Sequence, residues 1–260
     1  FGTNISLTLI GMLIPALGWR LAYLCVAMSC VLATPVTFFV IKSIGISPSK
    51  THSGLIKLSV LKNPLTRLFT LSYTCHAWDL YTLRVWGPPF MTFILLNEGY
   101  DLTEATSIAA TVLGIMFSLG CVAPVMGGML SDKLGRPQTA FFIVILGITC
   151  ALSLGWMVGL PILLFVGLIT IYGFLTGADS AIYSTAVIET ADQDKIGATL
   201  AVYAFSGMSG GAIGPYISGF LLDVFTAPEN WIFGFSVAGA VGFISLLSMY
   251  RAMKLIKNSY

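Results

Sequence analysis

Charged side chains are scarce in this sequence. Only 9% of its 260 residues are Asp, Glu, Lys or Arg, whereas a soluble domain carries about 25%. Hydrophobic residues make up 57% of the chain, and the mean hydropathy is +0.91. This composition excludes an ordinary soluble domain and predicts an integral membrane protein with lipid around it. The net charge of +2 gives no reason to expect a nucleic-acid partner.

Patterns that carry enzymatic or redox chemistry are missing as well. The five cysteines lie in apolar runs without CxxC spacing, which is typical of small buried hydrophobes rather than of disulfides or metal ligands. The sequence has neither a phosphate-binding loop nor a serine-hydrolase elbow. We therefore expect no enzymatic activity, no metal, no cofactor and no direct use of ATP. The cysteines are Cys25, Cys30, Cys75, Cys121 and Cys150.

Long apolar runs are abundant instead. A bilayer core about 30 Å thick needs about 20 mostly apolar residues for each helical crossing. Runs of this kind, bounded by polar or Gly/Pro turns, predict an all-α polytopic membrane protein with one partial helix and seven complete ones. The predicted spans are 1–17 (the partial helix), 20–42, 67–95, 104–130, 138–158, 161–188, 198–225 and 231–253.

The basic residues indicate an orientation. When the loops are placed alternately on two sides, one side receives eleven of the thirteen Lys and Arg residues. The opposite turns at 97–103 and 226–230 carry acidic residues and no basic ones. The positive-inside rule then predicts a cell-membrane protein with its C-terminus in the cytoplasm. The eleven are Lys42, Lys50, Lys57, Lys62, Arg67, Lys133, Arg136, Lys195, Arg251, Lys254 and Lys257.

Two similar turns suggest an internal repeat. Trp19-Arg20 and Asn230-Trp231 each separate two apolar runs, and they lie about 212 residues apart, as expected for two related six-helix halves. Phe1 stands in an apolar run where a translation product would begin with Met, so we expect a fragment without the first four helices. The expected parts are 1–42 (helices five and six), 43–66 (a central cytoplasmic loop), 67–253 (the C-terminal six-helix bundle) and 254–260 (a cytoplasmic tail).

The segment GGMLSDKLGRPQ carries a family resemblance. It resembles the loop between the eighth and ninth helices of the major facilitator superfamily, whose pattern is Gly-x-x-x-Asp-Arg/Lys-x-Gly-Arg. The resemblance implies the superfamily's two-bundle fold and secondary transport by alternating access. A merely basic turn is the simpler alternative, and Pro137 departs from the usual second basic residue. The matching residues, called the latch below, are Gly128, Asp132, Lys133, Gly135 and Arg136.

Three residues of the latch have an expected physical role. Gly128 would let two helices approach closely, and Asp132 would satisfy free N–H groups at a helix start. Arg136 would reach a carboxylate or the terminal carbonyls of a neighbouring helix. We expect such a cluster to hold one conformation and to break in the other.

The segment YTCHAWDLYTLRVWGPPF, residues 73–90, places ionisable groups inside an apolar span. It resembles the seventh helix of poorly characterised bacterial and archaeal permeases in the same superfamily, which are related to cyanate and nitrate/nitrite permeases. The matching residues are His76, Trp78, Asp79, Leu80, Tyr81, Arg84 and Trp86.

A charge at the centre of a span costs about 2.5 to 3.5 kcal/mol, so it normally faces a partner or a wet cavity. His76 and Asp79 are three apart on one helix face and could meet directly. Arg84 is displaced about 140° around the helix from Asp79 and needs a partner on another helix, or a substrate. Asp179, inside the tenth helix, is expected to have an inter-helical partner such as Arg84. Structural roles remain open: a neutral His76 bonded to a carbonyl, or a charge network that only joins helices.

Proline, glycine and aromatic residues add further expectations. Pro88 and Pro89 remove two backbone N–H groups and predict a broken helix, where transporters tend to build sites. In the predicted eleventh helix, Gly210 and Gly214 suit close helix packing, and Pro215 permits a bend. Such packing need not have a moving role. The aromatic residues Trp78, Tyr81 and Trp86 suit packing as well as substrate stacking.

The sequence therefore predicts a monomeric secondary active transporter that works by alternating access in membrane lipid. Protons would couple through His76 and Asp79, and a small anionic solute would be drawn to Arg84. Tyr81, Trp86 and Asp179 are the further residues expected along the pathway. Efflux of apolar compounds and a non-transporting sensor or scaffold are the alternatives.

Overall fold

The computed structural model describes residues 2–44 and 58–258, and nearly all of them are helical. Much of the expected central loop therefore lies outside the described residues. No β-strand occurs within the described ranges. The helices are α1 (Gly2–Ile44), α2 (Pro64–Asn97), α3 (Leu102–Leu119), α4 (Ala123–Leu134), α5 (Arg136–Leu154), α6 (Ile162–Ala178), α7 (Ser180–Thr190), α8 (Ile196–Val224) and α9 (Glu229–Lys257).

The helices confirm the all-α polytopic fold. Gly18, with φ 70° and ψ 164°, interrupts α1 at the turn expected between the first two spans. A short 3-10 turn at 120–122 joins α3 to α4, and Asp179 joins α6 to α7. Six helical stretches of the described chain are long and apolar enough to cross a membrane. Helix α2 is not among these six, and it carries the three ionisable residues of the 73–90 segment.

Local capping explains where α2 and α3 begin. The Asn63 Oδ1 accepts hydrogen bonds from the backbone N–H groups of Leu65 at 3.0 Å and Thr66 at 3.4 Å. Asn63 is thus the N-cap of α2, and Pro64 follows at the first helical position, where its missing N–H costs nothing. Asp101 caps α3 in the same way, accepting from the N–H of Thr103 at 2.8 Å.

The prolines do not break their helices. Pro88 and Pro89 lie inside the continuous helix α2, and Pro215 lies inside α8, so the expected interruption at 88–89 is wrong. Transmembrane helices tolerate proline when neighbouring helices restore the lost interactions. A separate bond joins the two helices nearby: the Trp86 indole N–H donates to the carbonyl oxygen of Pro215 at 2.8 Å, which connects α2 to α8.

The described residues form two compact units. The first unit contains residues 2–44 and 91–118. Within it, α1 and α3 approach closely: the Ser107 hydroxyl donates to the carbonyl oxygen of Gly11 at 2.7 Å, and a Cβ at Gly114 would overlap Thr8. Small residues at such contacts let transmembrane backbones pack together.

The second unit contains residues 58–90 and 119–258. Its core is built from α2 and α4 to α9, and Tyr183, Ile182 and Met249 are fully buried there. Large apolar side chains such as Leu163 and Tyr216 face outward, as expected where hydrocarbon replaces water. All residues of the candidate site belong to this unit.

The cysteines depart from expectation at one position. Cys75 and Cys150 are buried and Cys121 is partly buried, but Cys25 is exposed on α1. The expectation of a buried thiol is therefore wrong for Cys25. The Cys30 side chain lies outside the described part of the structure.

Candidate functional site

An ion pair joins α2 to the junction of α6 and α7. The His76 Nδ1 lies 3.0 Å from the Asp179 Oδ1, and both side chains are buried. The separation is that of an ion pair when His76 is protonated. Asp179 therefore has an inter-helical partner as expected, but that partner is His76 and not Arg84.

Aromatic rings hold the imidazole in place. His76 stacks on Tyr73 with ring centroids 5.8 Å apart and lies 5.7 Å from the ring of Tyr183. Tyr73 in turn stacks on Tyr203 at 3.8 Å. The faces of such rings attract a cation, so they suit an imidazole that gains and loses a proton. The His76 Nε2 is buried and makes no hydrogen bond within residues 2–44 and 58–258.

Asp79 has a different partner from the one expected. The hydroxyl of Tyr172 on α6 donates a hydrogen bond to the Asp79 Oδ1. No hydrogen bond or ion pair joins Asp79 to His76 in the described chain, although they lie one turn apart on α2. The expected direct contact is wrong because α6 and its junction with α7 supply a nearer partner for each side chain. Sequence reasoning did not single out Tyr172, whose only signal is a hydroxyl inside the very apolar α6.

A small cavity lies between these groups. Its volume is about 30 Å³, enough for about two water molecules and too small for an organic solute. Both carboxylates and the imidazole line it, so a proton could pass among them without leaving the protein interior. The polar lining comprises Cys75, His76, Asp79, Thr176, Asp179 and Ser245.

Arg84 lies apart from this cavity. It follows Asp79 by five residues, about 7.5 Å along the helix, and it is only partly buried. Within the described ranges, its guanidinium makes no ion pair and no hydrogen bond. Such a group is free to bind an anion.

The other predicted pathway aromatics pack against glycines of α8. A Cβ at Gly211 would overlap the ring of Tyr81, and a Cβ at Gly219 would overlap Trp86. Trp78 lies against Gly214 in the same way. These aromatic side chains thus fill a groove that the glycines leave open, and Trp86 gains its hydrogen bond to Pro215 there.

At Gly210, the backbone of α8 lies very close to the backbone of α2. A Cβ at Gly210 would overlap the backbone carbonyl oxygen of Thr74 on α2. A larger residue at this position would therefore have to push α8 away from α2.

Arg136 joins three helices. Its Nη2 donates to the Glu189 Oε1 at 2.8 Å and its Nε to the Glu189 Oε2 at 3.2 Å, a bidentate pair between α5 and α7. Its Nη1 lies 2.5 Å from the Asp132 Oδ1 and donates to the Ser131 hydroxyl at 2.6 Å. Glu189, at the start of the polar turn ETADQDK, was not singled out from the sequence, because nothing local indicates which carboxylate Arg136 reaches.

The latch departs from expectation at two positions. Space around Gly128 is open, whereas a Cβ at Gly127 would overlap the carbonyl oxygen of Ala178, so the close approach is made one residue earlier. Asp132 pairs with Arg136 instead of capping α5, because it lies inside α4, four residues before Arg136.

The turn between α4 and α5 is set by Gly135. Its φ of 96° lies in the region that favours glycine, and Pro137 fits the first turn of α5. Lys133 makes no ion pair with any residue that the structure describes.

The end of α7 is also tied to α2. The Asn63 side-chain amide donates to the Thr190 carbonyl oxygen at 2.8 Å, and the Thr66 hydroxyl donates to the same oxygen at 3.0 Å. Thr190 follows Glu189 directly. The last turn of α7 therefore links the start of α2 to the start of α5.

Comparison with known proteins agrees with this architecture. The family model of the Major Facilitator Superfamily matches residues 1–215. The chain is 24% identical over 277 residues to the hexuronate transporter of Bacillus subtilis (strain 168). It is 25% identical over 263 residues to the cis,cis-muconate transport protein of Acinetobacter baylyi (strain ATCC 33305 / BD413 / ADP1).

These alignments cover 98% and 94% of this chain, but only 63% and 59% of the two relatives. The chain thus spans about three fifths of their length. Neither comparison bears on the finer resemblance to cyanate and nitrate/nitrite permeases, which stays a prediction. The family match covers most of the chain, and the chain belongs to the Major Facilitator Superfamily.

Proposed function

We propose that this chain is part of a secondary active transporter that takes up a small organic carboxylate together with protons. Membership in the superfamily supports the transport class and alternating access. The proposed setting is the cell membrane, with the C-terminus in the cytoplasm. The single observation that carries the coupling proposal is the cavity of about 30 Å³ lined by His76, Asp79 and Asp179, with Tyr172 bonded to Asp79 beside it.

The substrate class is proposed from Arg84. A guanidinium is suited to bind a carboxylate through two parallel hydrogen bonds, and Arg84 has no partner among the residues that the structure describes. The two relatives are named for hexuronate and for cis,cis-muconate, and both names denote carboxylates. We expect the solute's carboxylate to bind at Arg84, with Tyr81 and Trp86 held beside the pathway by α8.

Proton coupling is proposed to use the cavity group. Removing one charge from a buried pair leaves the other uncompensated. A proton gained by Asp179 would neutralise its carboxylate and so weaken its electrostatic attraction to His76. A proton on Asp79 would likewise change its bond to Tyr172. Because α2 carries both Asp79 and Arg84, protonation can be transmitted along a single helix to the solute contact.

Uptake of labelled carboxylates into proteoliposomes tests this proposal. The full-length protein is reconstituted with the wild-type sequence, Arg84→Lys, Arg84→Ala or the control Arg251→Lys, whose exposed arginine lies near the end of α9. We expect carboxylate uptake driven by an inward proton gradient, a raised KM in Arg84→Lys, loss of uptake in Arg84→Ala, and normal uptake in the control. Uptake that is indifferent to Arg84 would overturn the substrate assignment.

A further inference from the structure

A large apolar groove lies on the second unit, next to the buried cavity, with which it shares the lining residues Ile143 and Leu175. Its volume is about 620 Å³, and α4, α5 and α6 form its walls. Most of its surface is apolar, with Leu130, Phe142 and Leu146 exposed along it and the partly buried Phe174 also lining it. A groove of this kind on a membrane-spanning bundle can accept a hydrocarbon chain.

Two polar groups stand at one end of the groove. Lys133, in the last turn of α4, lines it and makes no ion pair or hydrogen bond within the described chain. Thr139, the fourth residue of α5, also lines it and is only 1% exposed. The Thr139 hydroxyl has no hydrogen-bond partner among the described residues, and leaving a buried hydroxyl unpaired is unfavourable.

The order of these groups follows the structure of a phospholipid. Lys133 lies next to the turn at Gly135, where the spans α4 and α5 end at the membrane surface. Thr139 lies about one turn further in, and Leu146 lies about 10 Å beyond Thr139 along α5. A phospholipid presents a phosphate, then ester carbonyls, then an acyl chain, in the same order from the membrane surface inward.

We propose that this groove binds an anionic phospholipid of the surrounding membrane. Its phosphate pairs with the Lys133 ammonium, an ester carbonyl accepts a hydrogen bond from the Thr139 hydroxyl, and one acyl chain lies along Leu130, Phe142 and Leu146. Basic pockets between transmembrane helices recognise anionic headgroups in this way. The site is independent of the transported solute.

The bound lipid would lie beside the latch. Lys133 separates Asp132, which pairs with Arg136, from the turn at Gly135. The lipid phosphate would therefore lie close to the Arg136 ion pairs that join α4, α5 and α7.

Native mass spectrometry of the purified full-length protein tests the proposal. Phosphatidylglycerol and phosphatidylcholine with identical acyl chains are titrated against wild type, Lys133→Gln, Thr139→Val and the control Lys257→Gln, in which an exposed lysine of α9 is changed. Size-exclusion chromatography and thermal unfolding without added lipid establish that each variant is folded.

Wild type should bind phosphatidylglycerol about fivefold more tightly than phosphatidylcholine, the preference expected of one interfacial lysine. Lys133→Gln should abolish that preference, while Thr139→Val should weaken the binding of both lipids and keep the preference. The control should behave like wild type. Equal binding of the two lipids by wild type, or an equal loss in Lys257→Gln and Lys133→Gln, would overturn the proposal. Displacement of the lipid by inorganic phosphate alone would also contradict it, because the acyl chain would then contribute nothing.

Discussion

His76 and Asp179 meet at 3.0 Å across the bundle, although 103 residues separate them in the chain. The pair is buried, so neither member can exchange its partner for bulk water. Removing one member of this buried pair should therefore destabilise the protein more than removing one member of the exposed ion pairs around Arg136.

The first prediction concerns the stability of this pair. Asp179→Leu should destabilise the protein by about 3 kcal/mol, because it leaves His76 buried without its counter-ion. The double variant His76→Phe with Asp179→Leu should recover most of that loss, since two apolar side chains replace both polar ones. Thermal unfolding in detergent measures both. A double variant no more stable than Asp179→Leu would contradict the pairing.

A second prediction compares the adjacent glycines of α4. Gly127→Ala should destabilise the protein by about 1 to 3 kcal/mol, because the added methyl group must push α4 away from Ala178. Gly128→Ala meets open space and should be neutral or slightly stabilising. Equal unfolding temperatures for the two variants would show that α4 does not approach α6 at Gly127.

The third prediction concerns the indole hydrogen bond between α2 and α8. Trp86→Phe should cost about 1 kcal/mol, since it removes the indole hydrogen bond to the Pro215 carbonyl oxygen. Trp156→Phe is the matched control, because that indole is exposed and has no partner among the described residues. Chemical unfolding should separate the two variants, and identical costs would argue against the bond.

Arg136 and Glu189 lead to a fourth prediction. The Glu189 side chain is 50% exposed, so Glu189→Gln should change the unfolding free energy by less than about 1 kcal/mol. The same change should nevertheless shift the conformational equilibrium, because the bidentate bond joins α5 to α7. Labelling of an engineered cysteine in the α4–α5 turn should become faster in Glu189→Gln and stay unchanged in Asp194→Asn. An unchanged labelling rate in Glu189→Gln would show that the bond between Arg136 and Glu189 does not affect the conformational equilibrium.

Much of the fold could be predicted from the sequence, because a bilayer fixes the length and composition of each span. The interruption at Gly18 was readable for a local reason, because a Gly-Trp-Arg turn separates two apolar runs there. The site was readable only in part. A charge inside a span reveals that it needs a partner, but not which helix supplies that partner.

The wrong predictions arose because the sequence does not show which helix supplies a partner. Tyr172 lies 93 residues from Asp79, and Glu189 lies 53 residues from Arg136, so both contacts depend on how the helices pack. Gly127 and Gly128 are adjacent and identical, so the sequence does not show which of them contacts α6. Only the rotation of α4 against α6 decides which of them makes the close approach.

The most direct test of the account measures proton movement with solute in liposomes containing the full-length protein and a pH-sensitive dye. A transported carboxylate should drive proton entry with wild type. Asp79→Asn should abolish proton entry while it still binds solute, and Tyr172→Phe should reduce entry at least tenfold. The control Tyr250→Phe, whose ring packs against Lys254 at the end of α9, should retain it. Solute-driven proton entry that persists at the wild-type rate in Asp79→Asn would contradict a coupling site in this cavity.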